Sequence, residues 1–375
     1  MGDVGTAAVD LLAELVCIDS VNPGLVPGAV GETRIVEHLR ARLSSAGFVT
    51  TVVSAVGHGE RPSLVAVPPV PTEWPTVVLN GHLDTVGVAG MSQPFTPLID
   101  GDRLLGRGAA DMKGGVAAVV TAAEHLVATG ARVRPVLALV ADEEDANIGS
   151  EAVIEALPDL GVRPHVCLVA EPTDLALCKS LRGFAVVRVT FEGRAAHSSQ
   201  AELGVNAVAN LGRLLHAVDS RAEDVRAAGG DLMVTVARGG DSPFVVPDYA
   251  ECLVELRTTR DRSSAEAVAE VRSLLEVGWH AKAELVAHRN GWHLDTAGPA
   301  ADLAARLGAA LGTGPTFEAP YWMEAPLWQQ ACPTLVCGPS GGGLHAVDEW
   351  VALRQVRAFA HALVNVLRDG SADAD

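Results

Sequence analysis

Apolar positions along this chain change their period near residue 180, and that change organises the rest of the reading. Residues 6–16 repeat at helical spacing, and a turn-rich stretch follows with Asn22-Pro23-Gly24 and Pro27-Gly28. A second helical pattern runs over 32–46 and stops at Gly47, a glycine C-cap. Strand-like segments are predicted at 48–56 and 63–67, and the linker VPPVPTEWP leads into an apolar run at 76–79. That run reads as a buried strand ending in His82-Leu83-Asp84. One loop later comes GRGAADMKGG, then a helix, VAAVVTAAEHLVATG. The apolar strand 135–140 runs into Ala141-Asp142-Glu143-Glu144-Asp145. A helix at 150–157 and a strand at 166–170 lead to Glu171-Pro172-Thr173. Strands alternating with helices predict an α/β domain with a mostly parallel sheet flanked by helices.

Beyond residue 180 the period becomes two. FAVVRVTFEG alternates as an antiparallel strand with one wet face. A helical stretch (204–228), strands at 232–238 and 250–257, a helix (263–276) and a strand (282–288) follow. They make two strand–helix–strand units, a smaller α+β module. From 297 a helix, a strand at 334–337, a glycine turn and a helix at 351–368 return to the first pattern. The expected organisation is a catalytic domain in two parts, 1–180 and 291–375, with 181–290 inserted. No repeat or low-complexity segment is visible apart from a short acidic tail.

The net charge of −18 and the absence of a basic run argue against nucleic acid as a partner. Six cysteines are scattered without a C-x-x-C pair, which excludes zinc-finger and redox motifs. Most lie in apolar runs, where reduced core thiols are expected. No apolar stretch reaches the roughly 18 residues of a membrane span. The first residues carry no basic n-region or cleavage site. The expectation is a cytoplasmic protein that does not engage a membrane.

Chemistry concentrates where strands end. In a parallel sheet with helical faces, ligands gather beyond the carboxyl ends of the strands. His82, Glu143, Glu144 and Glu171 all fall at such ends. The acids have plainer readings: DEED as a solvated loop, Glu171 as a strand terminator, and Asp111 as a helix cap. The His-x-Asp pattern occurs twice, and the copy at His293-Leu294-Asp295 follows a polar turn, so it reads as a decoy. Hydrolysis at two metals requires a bridging carboxylate, an imidazole and a further acid on each ion, and a free Glu as base. His82, Asp111, Glu143, Glu144, Glu171 and a late histidine fill that list. His345, after a strand and a glycine turn, is the best late candidate. Imidazole and carboxylate donors without thiolate suit Zn²⁺, with Co²⁺ or Mn²⁺ as substitutes. A rival reading takes Gly338-Pro339-Ser340-Gly341-Gly342 as a nucleophile elbow, but a helix should follow it at once and more glycines follow instead.

Through these residues and the segments around them, the chain resembles the acetylornithine deacetylase, succinyl-diaminopimelate desuccinylase and glutamate carboxypeptidase family of two-zinc amidohydrolases. The resemblance covers nearly the whole chain through LVCIDSVNPG, GHLDTV, PFTPLIDGDRLLGRGAADMKGG, ADEED, AEPTD, GRAAHSS, ELR and GLHAVDEW. It implies that Asp111 bridges two metals, with His82 and Glu171 on one and Glu144 and His345 on the other. Asp84 would orient His82, and Glu143 would be the general base. His197 would reach a partner protomer's site and stabilise the oxyanion, while Arg257 and Gly342 would contact substrate. The inserted module would be a lid and dimerisation domain, making a homodimer.

Two positions depart from the family pattern. Phe244 stands where an Asn is usual, and Glu324 where an Asp is common. Glu rather than Asp at 171 favours the deacylase and carboxypeptidase branches over aminopeptidase-like ones. The implied activity is removal of an acyl group from an N-acyl amino acid, acetylornithine-type deacetylation foremost. A desuccinylase and a carboxypeptidase or dipeptidase are the alternatives within the class. A catalytically idle binding protein is the alternative outside it.

Overall fold

The computed structural model describes residues 2–258, 263–312 and 316–369. The acidic tail lies outside them. Helix α1 (Val4–Val16) opens where the Asp3 carboxylate accepts the Thr6 N–H at 2.8 Å. Helix α2 (Thr33–Ser45) is followed by Gly47 at φ +90°, the left-handed stop that glycine allows. Next come β1 (Val49–Val53), β2 (Ser63–Val67), β3 (Thr76–His82), β4 (Leu98–Asp100), β5 (Arg103–Leu105) and, past a turn at Ala109–Lys113, α3 (Gly114–Ala128). The alternation closes with β6 (Arg134–Val140), α4 (Ile148–Ala156) and β7 (Val166–Val169).

A strand not foreseen, β8 (Leu177–Leu181), precedes β9 (Gly183–Glu192), α5 (Ala207–Ala227), β10 (Asp231–Gly239), β11 (Tyr249–Thr258), α6 (Ser264–Ser273), β12 (Ala281–Arg289) and β13 (Trp292–His293). The remaining elements are α7 (Pro299–Leu311), β14 (Thr316–Ala319), α8 (Ala325–Trp328), β15 (Thr334–Val336), β16 (Gly341–Gly342), β17 (Trp350–Ala352) and α9 (Leu353–Asp369). The last helix starts later than its pattern predicts. Residues 350–352 pair with 103–105 of β5 instead, and Asp102 accepts the Arg354 N–H at 2.8 Å as the helix begins.

The chain divides into two units, Met1–Lys179 with Leu294–Phe317 and Met323–Asp375, and Ser180–His293 with Glu318–Trp322. The first holds a six-stranded sheet in the order β1-β2-β6-β3-β7-β15. β6, β3, β7 and β15 run parallel, and β1 and β2 add an antiparallel edge. This is the expected mixed α/β fold with a mainly parallel, helix-flanked sheet. α1, α3 and α9 pack on one another, and α2 and α4 lie against β1 and β2. Every residue of β3, β6 and β7 is buried, which is why these strands read as continuous apolar runs. α3 approaches so closely that a Cβ on Gly115 would stand 2.1 Å from the Ala170 carbonyl oxygen.

The second unit is an antiparallel sheet, β10-β11-β9-β12, with α5 and α6 on one face. Ala185, Val187, Val189 and Phe191 of β9 turn into its core, while Phe184, Val186, Arg188 and Thr190 face away. Among the described residues, no helix is long and apolar enough to cross a membrane.

Candidate metal centre

The parallel register brings three strand ends to one level. His82 pairs with Val140 at the end of β6, and Asn80 with Val169 at the end of β7. Strands buried on both faces admit no charge along their length, so the first charged residues appear where each run stops. These are His82, the Asp142-Glu143-Glu144 turn and Glu171. Asp111 comes from the turn before α3, and His345 from the loop after β16, with φ +61°.

Asp111 offers one oxygen to each imidazole. Its Oδ1 lies 3.1 Å from His82 Nε2, and its Oδ2 lies 3.2 Å from His345 Nε2. His345 Nε2 is also 3.2 Å from Glu144 Oε2, and His82 Nε2 is 4.0 Å from Glu171 Oε1. Two groups of potential ligand atoms result, His82 with Asp111 and Glu144, and His82 with Glu143 and Glu171, each within 4.8 Å. The cap reading of Asp111 fails: its φ and ψ of −119° and 96° are not helical, and α3 has no side-chain cap bond. Glu144 is not a solvated loop residue either, since its side chain is only 7% exposed.

The nearer contact of Asp84 to His82 is through the backbone. His82 Nδ1 donates to the Asp84 carbonyl at 3.0 Å, and the carboxylate Oδ1 stands farther off at 3.6 Å. This contact fixes the ring and turns Nε2 toward Asp111. The carboxylate instead accepts the N–H groups of Glu143 at 3.1 Å and Glu144 at 3.2 Å, and the Asn22 amide at 2.8 Å.

The charges crowd one another. Burial, and then the neighbouring carboxylates, push Glu143 and Glu171 well above the usual carboxylate range and raise Glu144. Hydrogen bonds that His345 donates to Asp111 and Glu144 carry it up to about 10. Burial opposes charge on His82, but Asp111 and Asp84 outweigh it and raise the ring well above its ordinary value. Glu144 Oε1 and Glu171 Oε1 are buried with no hydrogen-bond donor among the described residues. Orphaned carboxylate oxygens beside two imidazoles, with no thiol in either group, fit hard-to-borderline divalent cations.

Supporting residues that local sequence did not reveal hold this arrangement. Glu349, 1% exposed, gathers the N–H groups of Gly108, Ala110 and Asp111 at 3.0–3.2 Å and the Arg107 guanidinium at 2.6 Å. Lys113 is fully buried, and its Nζ donates to the carbonyls of Leu15 and Ile18 at the end of α1. Arg61 spans Glu32 and Asp142. The only local hint was a charged residue flush against an apolar strand, as in ERPSLVAV and VDEWVA.

The remaining named residues join neither group of potential ligand atoms, although Glu324 is close enough to raise Glu143 and Glu171 further. His197 is exposed in the second unit, its Nδ1 2.8 Å from Ser199 Oγ. Arg257 Nε pairs with Glu255 Oε1 at 2.7 Å, and its guanidinium carbon stands 5.4 Å from the Phe184 ring centre. Phe244 is 68% exposed. Gly342 pairs with Trp350, whose indole nitrogen would lie 2.8 Å from an added Cβ. Glu324 is fully buried, bonded to Ser150 Oγ at 2.7 Å, and burial brings it up to about 7. His293 and Asp295 join neither ligand group; Asp295 accepts from Gln329. Ser340 is followed by β16 rather than a helix, so the nucleophile elbow is absent. The six cysteines are all free.

Comparison with known proteins agrees with this geometry. A succinyl-diaminopimelate desuccinylase of Dinoroseobacter shibae is 29% identical over 385 residues, covering 97% of this chain and 99% of that protein. One from Stenotrophomonas maltophilia is 30% identical over 380 residues, covering 94% and 96%. A tripeptidase from Staphylococcus aureus has a TM-score of 0.81 at 17% identity, covering 98% of each chain. A Bacillus subtilis structure described as a dinuclear metal-binding peptidase has a TM-score of 0.71 at 14% identity, covering 97% and 98%. At these identities the two structures bear on the fold alone. Fold, site and relatives together define a metal-dependent hydrolase. A model of peptidase family M20/M25/M40 matches residues 78–369, and the chain belongs to that family.

Proposed function

We propose that this protein is a deacylase that cleaves the amide of an N-acyl amino acid beside a free carboxylate, with an N-succinyl diamino acid as the favoured substrate. The observation that carries it is the arrangement of Asp111 between His82 and His345 with Glu144 and Glu171 alongside. In this reading Asp111 would serve both of two divalent ions, His82 and Glu171 would help hold one, and Glu144 and His345 the other. Zn²⁺ suits these donors, and Co²⁺ or Mn²⁺ can replace it. When bound, the ions polarise the scissile carbonyl and make water acidic enough to react near neutral pH. Glu143 accepts the proton of that water and returns it to the leaving amine. Asp84 holds the His82 ring. His197 donates to the oxyanion, Arg257 binds the substrate carboxylate, and Gly342 leaves room for the substrate backbone. The reading carries a homodimer formed through residues 181–290 and a cytoplasmic setting, which gel filtration and cell fractionation test.

The named relatives move the preferred acyl group from acetyl to succinyl, since both cited desuccinylases align along nearly their whole length. An idle binding protein is disfavoured by the complete set of acids and imidazoles. The deciding experiment is a hydrolysis panel on enzyme loaded with Zn²⁺ or Co²⁺. N-succinyl-L,L-diaminopimelate is expected to exceed N-acetyl-L-ornithine, other N-acyl amino acids and dipeptides in kcat/KM by about tenfold or more, the net contribution of one hydrogen bond. A higher value for an acetyl substrate or a dipeptide replaces the substrate assignment. Retained metal with no hydrolysis anywhere in the panel overturns the deacylase.

A further inference from the structure

One buried cation stands a single residue back from the candidate ligands. Arg61, just before β2, is 5% exposed, and the two carboxylates it spans, Glu32 and Asp142, are 0% and 1% exposed. Its Nε donates to Glu32 Oε2 at 2.9 Å, and its Nη1 to Asp142 Oδ1 at 2.6 Å. Asp142 is the residue immediately before Glu143, and its backbone is left-handed, with φ +67°. A non-glycine residue holds that conformation only when its surroundings over-determine it.

The surroundings do so from two sides. Asp142 Oδ1 also accepts the Asn22 amide at 3.0 Å, and the same amide donates to Asp84 at 2.8 Å. Asp84 in turn receives the N–H groups of Glu143 and Glu144. The turn is therefore fixed by its first side chain and by its next two backbone donors, and Asn22 ties the two attachments together. Within this network Arg61 is the cation facing the buried carboxylates Glu32 and Asp142. Removing it leaves like charges confronting each other out of water.

We infer that Arg61 is a positioning residue for hydrolysis: by holding Asp142 in its left-handed turn, it aims the Glu143 carboxylate at the reacting water. The inference rests on the proposed role of Glu143 as base. An arginine suits the task because donors on separate nitrogens of its planar fork reach two carboxylates at fixed angles, whereas a lysine offers all its donors from a single nitrogen.

The test combines Arg61→Lys and Arg61→Ala, each assayed at saturating Zn²⁺ and alone or with Glu143→Gln. With the best panel substrate, kcat is expected to fall about tenfold in Arg61→Lys and about 100-fold in Arg61→Ala, as a displacement near 1 Å would cause. KM should stay within about threefold and metal content should match the wild type, because the loss lies in the reacting geometry rather than in binding. Guanidinium chloride should restore part of the Arg61→Ala rate, and potassium chloride should not. In the Glu143→Gln background the Arg61→Lys change should cost little more, since both act on one group. Hydrogen exchange on metal-free protein should be faster across residues 141–147 in both variants. A merely structural role predicts a lower Tm with wild-type kcat and unchanged exchange in that segment, and would overturn the inference. So would fully additive losses, or complete recovery of kcat with excess Zn²⁺. If Arg61→Ala does not fold, Arg61→Lys decides alone. If Glu143→Gln by itself keeps full activity, the base assignment has failed, and the exchange data still decide whether Arg61 holds the turn.

Discussion

In β3 and β6 every residue is buried, whereas β9 and β11 bury alternate residues and leave the rest half-exposed or exposed. The first pattern belongs to parallel strands covered on both faces, the second to antiparallel strands with one open face. A fully covered strand can place charge only at its ends, and His82, Glu143, Glu144 and Glu171 all sit there. An open-faced strand can carry it along its length, as Glu251, Glu255 and Arg257 show on β11. The covered sheet thus concentrates its chemistry at one level, and the open one spreads it.

Experiments can break this contrast, beginning with the largest effect. Glu143→Gln removes the proposed base from the covered sheet's edge and should lower kcat about 10²–10⁴-fold, with metal content by elemental analysis unchanged. A rate near wild type would remove Glu143 from the chemistry. Leu79→Ala, in the middle of β3 at 0% exposure, should cost about 2–5 kcal/mol in denaturant unfolding. Leu253→Ala, on the open face of β11, should cost about 1 kcal/mol or less. Equal losses would show that the two sheets are not packed differently. Stripping divalent ions with EDTA should destabilise the protein by about 3–4 kcal/mol relative to ions supplied at 100–1,000 times their Kd, read as a lower Tm. An unchanged Tm would argue against the ligand set. The smallest effect is expected at the second His-x-Asp copy, where His293→Ala should leave metal content and kcat unchanged. Loss of metal there would mean the wrong histidine had been chosen.

Much of the covered sheet was legible because its strands are uninterrupted apolar runs, and the charged residues that end them are conspicuous. The antiparallel unit was legible through alternation. Local sequence failed where the deciding contact is remote. His82-Leu83-Asp84 and His293-Leu294-Asp295 are the same tripeptide, and only the buried strand behind the first separates them. Asp111 read equally as a cap or a ligand until its non-helical backbone was seen. Val351 and Ala352 looked like the start of a helix because their partner strand lies some 250 residues earlier. Nothing local names the partners of Arg61 and Asn22, for the carboxylates they satisfy are 29 to 120 residues away. Residues 318–322 joined the second unit for a similar reason: Trp322 sets its ring edge-on to Phe184 and bonds the Asn290 carbonyl.

The grip of Glu349 on the loop that presents Asp111 has a consequence for how the protein is made. The partners are 238–242 residues apart, so synthesis delivers His82, Asp111, Glu143, Glu144 and Glu171 well before the residue that secures the loop. At about 5–20 residues per second, a nascent chain carries the Asp111 loop without its Glu349 contacts for on the order of ten seconds or more. If these residues hold metal as proposed, its capture is expected of the finished chain rather than of the emerging one. Depleting divalent ions during translation and restoring them afterwards should yield as much loaded protein as supplying them throughout.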